Sequence, residues 1–259
     1  MFTSHNTSLQ LEQSNTTIVL IPFGSTEQFG PYLPMHIDCL LAEMYAQQYG
    51  KVLNAYVLPV IPFNTSEEHA HFKGTITLSP QLLTMMVEEI VTVLMRQGFK
   101  QFVLVSGHGG ANWMSPCIKH LNYKYPNVLL AHAHANVEQA WRSASDAAGF
   151  ANNNEIHGGL FGLCTALYLC PELVDYEAIP SFGTAIAPEL NRFMDYVSWE
   201  RLTPDGSWGR YERDPKVTKE VLAERGRVFW KTFVDEQSKV LTRHLADAYR
   251  LKFGSKGSF

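Results

Sequence analysis

The sequence predicts an α/β fold, a mostly parallel sheet with helices on both faces. Three observations carry this expectation. Short apolar, β-branched runs at 17–21 and 102–105 have the length and composition of buried strands. Each runs into a glycine-containing loop and then into a helix-like segment. Between them, Ser79-Pro80 opens a long amphipathic stretch with an N-cap serine and a proline at the first helical position, and Gly98 stops it. A chain of 259 residues, 46% of them hydrophobic, can fill one full core, so a single domain over 1–259 is expected, with 1–15 as a polar N-terminal extension.

Taken in order, the strand at 17–21 leads into the loop Gly24 to Asp38, and 39–46 reads as a helix. Residues 55–63 are extended and apolar, with prolines that suggest strand ends or a sheet edge. A polar loop spans 64–74. The helix from Pro80 carries Leu82, Leu83, Met86, Ile90, Val93 and Leu94 on one stripe, expected to cover the sheet. The strand at 102–105 enters Ser106-Gly107-His108-Gly109-Gly110, before a helix ending near Lys124. A further strand, 128–134, ends in His132 and His134 on one face. Residues 144–155 read as a surface loop. His157-Gly158-Gly159 starts an apolar helix, 160–169, stopped by Cys170-Pro171. From 174 to 215 there is no strong periodicity, only loop signals and aromatics, and a last long helix spans about 216–252.

Net charge of −4 and a pI near 6.2 provide no basic field for a nucleic acid, and no stretch approaches the roughly 18 apolar residues of a membrane span. Neither partner is expected. The start lacks a secretory signal and the four cysteines show no paired spacing, so the expected compartment is the cytoplasm.

In doubly wound sheets ligands bind beyond the carboxyl ends of the strands. Two loops here leave such ends, one with Glu27 and Asp38, the other with His108. Carboxylates and a histidine make a mixed oxygen and nitrogen site, suited to zinc, manganese or iron rather than calcium. The alternative is a set of satisfied polar loop residues, with Glu27 capping a turn and Asp38 serving as the N-cap of the following helix.

Several motifs, in order, resemble the creatininase (creatinine amidohydrolase) family. They are Glu27-Gln28-x-Gly30-Pro31-x-Leu33-Pro34 through Asp38, the loop Ser66 to Thr75, Gly107-His108-Gly109-Gly110, His157-Gly158-Gly159 followed by Pro171 to Val174, and Gly209 to Gly226. The resemblance runs from about 17 to 230. It implies a creatininase-like fold, commonly assembled into hexamers, with a two-metal site that hydrolyses amide or cyclic-amide C–N bonds. It also implies Glu27, Asp38 and His108 at the first metal, Asp38 on the ligand that would bridge to a second ion, and a catalytic role for His157. Phe29 stands where the family's Glu-Gln-His-Gly motif has a histidine ligand, Gly162 where it usually has a glutamate, and Gly110 where some members carry a carboxylate.

Three readings follow. The favoured one keeps a single divalent metal per chain on Glu27, Asp38 and His108, acting on a small-molecule substrate, with His157 moving a proton and Phe29, Glu68 and His69 contacting the substrate. In the second, spare histidines, His36, His132 and His134, rebuild a second metal site. In the third, the chain is a redirected relative, an amide-forming or rearranging enzyme or a non-catalytic binding or scaffold subunit. A homo-oligomer is expected from the resemblance and from the aromatic-rich segment 176–211, too apolar for a fully exposed loop.

Overall fold

A computed structural model describes residues 1–151, 154–185 and 187–254. At its centre lie five parallel strands: β1 (Phe2–Thr3), β2 (Ile18–Phe23), β3 (Tyr56–Val57), β4 (Gln101–Ser106) and β5 (Leu129–His132), in the spatial order β1-β3-β2-β4-β5. The longest pairing joins β2 to β4 in register, from Ile18 opposite Gln101 to Phe23 opposite Ser106.

Successive side chains of a strand point to opposite faces, and both faces here are covered. Val19, Ile21 and Phe23 of β2, with Phe102 and Leu104 of β4, form one apolar cluster with α3 (Pro80–Arg96) and α4 (Met114–Lys124). Leu20, Val103, Val105, Leu129 and Ala131 form the other, with α2 (Ile37–Leu53), α5 (Glu138–Ala148), α6 (Leu160–Leu169) and α7 (Lys219–Phe253). This is the expected α/β architecture with helices on both faces.

Several local expectations need correcting. Residues 1–15 hold an edge strand, β1, and a short helix, α1 (Ser8–Gln13), capped by Thr7 through a reciprocal capping box with Gln10. The extended run at 55–63 pairs continuously only at Tyr56–Val57, with a further parallel bridge from Ile61 to Phe23, and it lies between β1 and β2, so its prolines mark a strand end and not the sheet edge. In α3, Leu83, Val87 and Val91 face the core, while Leu82 and Val93 are about half exposed, so the buried stripe is rotated from the one expected. Residues 144–148 complete α5 instead of forming a loop, because Ala140, Ala144 and Ala148 make an apolar face that packs beside α7. Asn152 and Asn153 lie outside the described residues.

The segment after α6 is built from short 3-10 turns and one antiparallel pair, β6 (Phe182–Gly183) with β7 (Arg210–Tyr211). Its aromatics Tyr176, Phe182, Trp199, Trp208 and Tyr211 are buried within this chain, leaving Phe193 and Tyr196 exposed. Intrachain packing thus accounts for most of its apolar content. Helix α7 also anchors the turn after β5: the buried Gln237 amide donates to the carbonyls of Ala133 and Ala135, at 3.0 and 3.1 Å.

Candidate functional site

β2 and β4 are parallel neighbours, so the loops leaving their carboxyl ends emerge side by side. The first carries Glu27 and delivers Asp38 into the first turn of α2; the second carries His108. Gly107 lets them meet, because a Cβ there would lie 2.0 Å from the Asp38 carbonyl oxygen. Asp38 is not the N-cap of α2. That position is His36, whose side chain makes no capping hydrogen bond, and the Asp38 carboxylate turns to His108. An acid in the first turn also benefits from the positive end of the helix.

His108 Nδ1 lies 3.0 Å from Asp38 Oδ2 and 3.1 Å from Glu27 Oε1. Its Nε2 is 2.7 Å from the Thr65 carbonyl, which can only accept, so Nε2 carries a hydrogen and Nδ1 is left facing the two carboxylates, donating to them when the ring is protonated and offering a lone pair when it is neutral. Glu27 is held by its other oxygen: Oε2 accepts from Ser25 Oγ at 2.9 Å and Ser66 Oγ at 2.6 Å. Oε1 is buried without a hydrogen-bond partner. Two carboxylates and an imidazole nitrogen converging on one point, with Glu27 Oε1 otherwise unpartnered, are a donor set that a zinc or manganese ion satisfies once the ring gives up its Nδ1 proton.

In the metal-free site the charges favour a proton on His108 Nδ1, one that a bound ion would displace. Burial alone would raise the pKa of Glu27, but His108, His157 and His69 more than offset it and hold the carboxyl well below its usual range. Burial and then the negative charge of Glu27 push Asp38 up, to about 7. Burial opposes charge on His108, yet Glu27 and Asp38 together raise its pKa well above the usual value.

His157 enters from the start of α6. It is fixed by an antiparallel bridge to Trp208, and its Nε2 donates to the Gln28 carbonyl at 2.7 Å. Its Nδ1 is left 4.0 Å from Glu27 Oε1. Burial keeps this ring below its usual pKa, hence neutral. Phe29 packs against it, ring centroids 4.2 Å apart. His69 stacks on its other side at 4.4 Å, with Trp199 edge-on to His69 at 4.4 Å. These groups border a cavity of about 1320 Å³. Glu68, partly exposed, reaches toward His108 Nε2 at 3.9 Å.

Among the described residues, two trios have ligand atoms within 4.8 Å of one another: Glu27, Asp38 and His108, and Glu27, His69 and His157. His36, His132 and His134 join neither. β5 ends at His132, leaving His134 in the turn beyond it among Tyr45, Tyr49 and Phe233, with centroids 4.7, 5.9 and 5.7 Å away. The structure thus does not gather these three as replacement ligands, because the turn directs His134 into an aromatic cage. Sequence reasoning passed over Ser25, Ser66, Gln28 and Trp199. The serines flank acidic residues in loops already singled out, whereas Trp199 lies in the aperiodic segment, where no local signal marks it.

The family model described as creatinine amidohydrolase matches residues 4–241. Creatinine amidohydrolase from Pseudomonas putida is 25% identical over 190 residues, 68% of this chain and 73% of that one. The mycofactocin precursor peptide peptidase of Mycobacterium ulcerans (strain Agy99) is 26% identical over 240 residues, 89% and 86% of the two chains. A solved protein from Bacteroides fragilis superposes with a TM-score of 0.73 at 23% identity, covering 98% of both chains. A solved creatininase superposes at 0.66 with 20% identity, again over 98% of each. Further solved creatininases include a manganese form and a Zn–Zn form of a variant.

Proposed function

The chain belongs to the creatininase family, and on that premise we propose that it is a metal-dependent amidohydrolase that uses one divalent ion, zinc, manganese or iron, to cleave the C–N bond of an amide or cyclic amide in a small molecule. The observation that carries this reading is Glu27 Oε1, buried and without a hydrogen-bond partner, 3.1 Å from a histidine nitrogen that also faces Asp38. Glu27, Asp38 and His108 would hold the ion, which when bound polarises a carbonyl or lowers the pKa of a water.

The remaining work falls to the chain itself. His157, neutral and with its Nδ1 lone pair toward the site, accepts a proton from the attacking water and returns it to the leaving nitrogen. Phe29 forms an apolar wall beside it, and Glu68 and His69 contact the substrate. Amide-bond cleavage is what the names of both curated relatives describe for those proteins. The proposal extends to a single domain throughout, to cytoplasmic residence, with which four buried free cysteines agree, and to a homo-oligomer, the hexamer being common in the family. No helix among the described residues is long and apolar enough to cross a membrane.

Elemental analysis of protein purified without a metal-affinity tag tests the central point, with about one ion per chain expected. Asp38→Ala and His108→Ala should each lose most of it, since a three-residue site that loses a ligand binds too weakly to retain its metal. Two ions per chain would restore the two-metal mechanism, and none would move the chain to the redirected class. Light scattering at micromolar concentration tests the assembly, a monomer counting against it.

A further inference from the structure

We propose that Gln28 fixes His69 as the tautomer protonated on Nε2, so that His69 enters the active site as a hydrogen-bond donor to a substrate carbonyl oxygen and not as a ligand to a second metal ion. For its chemistry the inference rests on the amidohydrolase reading, whereas the tautomer follows from hydrogen-bond polarity alone.

The orientation of the Gln28 amide is set by two backbone groups whose roles cannot change. Its Oε1 accepts from the Gly30 N–H at 2.8 Å, and its Nε2 donates to the Gly206 carbonyl at 2.9 Å. A flipped amide would set oxygen against oxygen and N–H against N–H. The second hydrogen of the same nitrogen points to His69 Nδ1, 2.8 Å away. Nδ1 must accept it, so the neutral ring carries its hydrogen on Nε2. The amide cannot easily swing away, because Gln28 is buried and packs so closely on Gly206 that a Cβ there would lie 2.2 Å from Gln28 Oε1.

The other two histidines also carry a hydrogen on Nε2 but turn the opposite edge of the ring to the site. Both spend their Nε2 hydrogen on a backbone carbonyl, Thr65 for His108 and Gln28 for His157, and turn Nδ1 toward Glu27. Gln28 therefore orients both members of the stacked pair, His157 through its carbonyl and His69 through its side chain. Spacing alone would allow an ion among Glu27, His69 and His157. A hydrogen on His69 Nε2 removes one of the three donors, and the group cannot close around a cation.

That hydrogen is available. Nε2 lies 3.8 Å from Glu27 Oε1, too far for a hydrogen bond, and makes none among the described residues, while the ring borders the cavity. A fixed neutral donor beside a reacting carbonyl stabilises the negative charge that gathers on oxygen as water adds. His69 keeps its hydrogen throughout, and the transferred proton travels by His157.

The test uses the full chain, labelled with ¹⁵N-histidine and loaded with cadmium-113, and reads long-range ¹H–¹⁵N correlations, His69 being assigned by its absence in His69→Gln. The expected spectrum shows His69 protonated on Nε2 and uncoupled to cadmium, with cadmium coupling on His108. Cadmium coupling at His69, or an unprotonated Nε2, overturns the inference. Loss of coupling at His108 with the His69 tautomer intact would instead defeat the one-ion reading and leave the tautomer standing. In Gln28→Glu the side chain can only accept, so the hydrogen should move to His69 Nδ1. An unchanged tautomer in that folded variant overturns the role of Gln28, and if the variant does not fold, the wild-type spectrum still decides. Acetohydroxamate, a carbonyl ligand for metal hydrolases, should move the His69 Nε2–H resonance downfield; absence of binding, or binding without that shift, overturns the contact with substrate oxygen.

Discussion

Phe29 and Gly162 fit against each other: a Cβ built on Gly162 would lie 3.1 Å from Cε1 of the Phe29 ring. These are two of the positions at which the chain departs from the pattern it resembles, a histidine ligand and a glutamate. The structure makes them one packing event, an aromatic ring filling the space that a side chain at 162 would take. Glu155 completes the exchange. Its carboxylate, 3.4 Å from the same Cβ position, accepts from the backbone N–H groups of Gly159, Phe161 and Gly162 and so caps the start of α6.

Gly162→Ala should destabilise the protein by about 1–3 kcal/mol through overpacking. Adding Phe29→Leu should recover part of that loss, since residues in contact do not contribute additively. Urea denaturation of the two single variants and the double variant measures the coupling, and strict additivity would mean that the two side chains do not share one space.

Ser66→Ala removes the shorter of the two hydroxyl contacts to Glu27 Oε2, 2.6 Å against 2.9 Å for Ser25. With the carboxylate less firmly oriented, metal affinity should fall by roughly 10- to 100-fold while the fold is kept. Competition with a chromogenic chelator reads the affinity, and circular dichroism the fold.

Metal affinity should rise with pH across neutrality. Asp38, pushed up to about 7 by burial and by Glu27, and His108, raised by both carboxylates against its burial, tend to hold protons in the metal-free protein. Because both must be bare to bind an ion, uptake releases protons and weakens as pH falls through that range. Calorimetry in two buffers of different ionisation enthalpy gives the number released. Buffer-independent heats would show that the ion binds elsewhere.

Gln237→Leu should cost roughly 1–3 kcal/mol, because the carbonyls of Ala133 and Ala135 lose the donor that α7 presents to them. The midpoint of denaturation should move with its slope unchanged. An unshifted midpoint would mean that the turn after β5 finds other donors.

By itself the sequence determined the parallel α/β architecture, because strands such as β2 and β4 are continuous apolar runs and α3 carries its own cap and stop. It also marked Glu27, Asp38 and His108, since each lies in a loop leaving a strand end or at the start of the helix that follows. The short edge strand β1 was not legible, because two residues paired across a long separation leave no periodic trace. The candidate site was legible as residue types but not as directions. That His69 stacks on His157 beside the metal trio, that His134 turns into an aromatic cage, and that Trp199 closes over His69 depends on segments far apart in the chain. The donor or acceptor face of each histidine was likewise decided only by tertiary structure, because a ring's tautomer is set by the fixed polarity of its neighbours: the carbonyls of Thr65 and Gln28 for two rings, and for the third an amide held between Gly30 and Gly206.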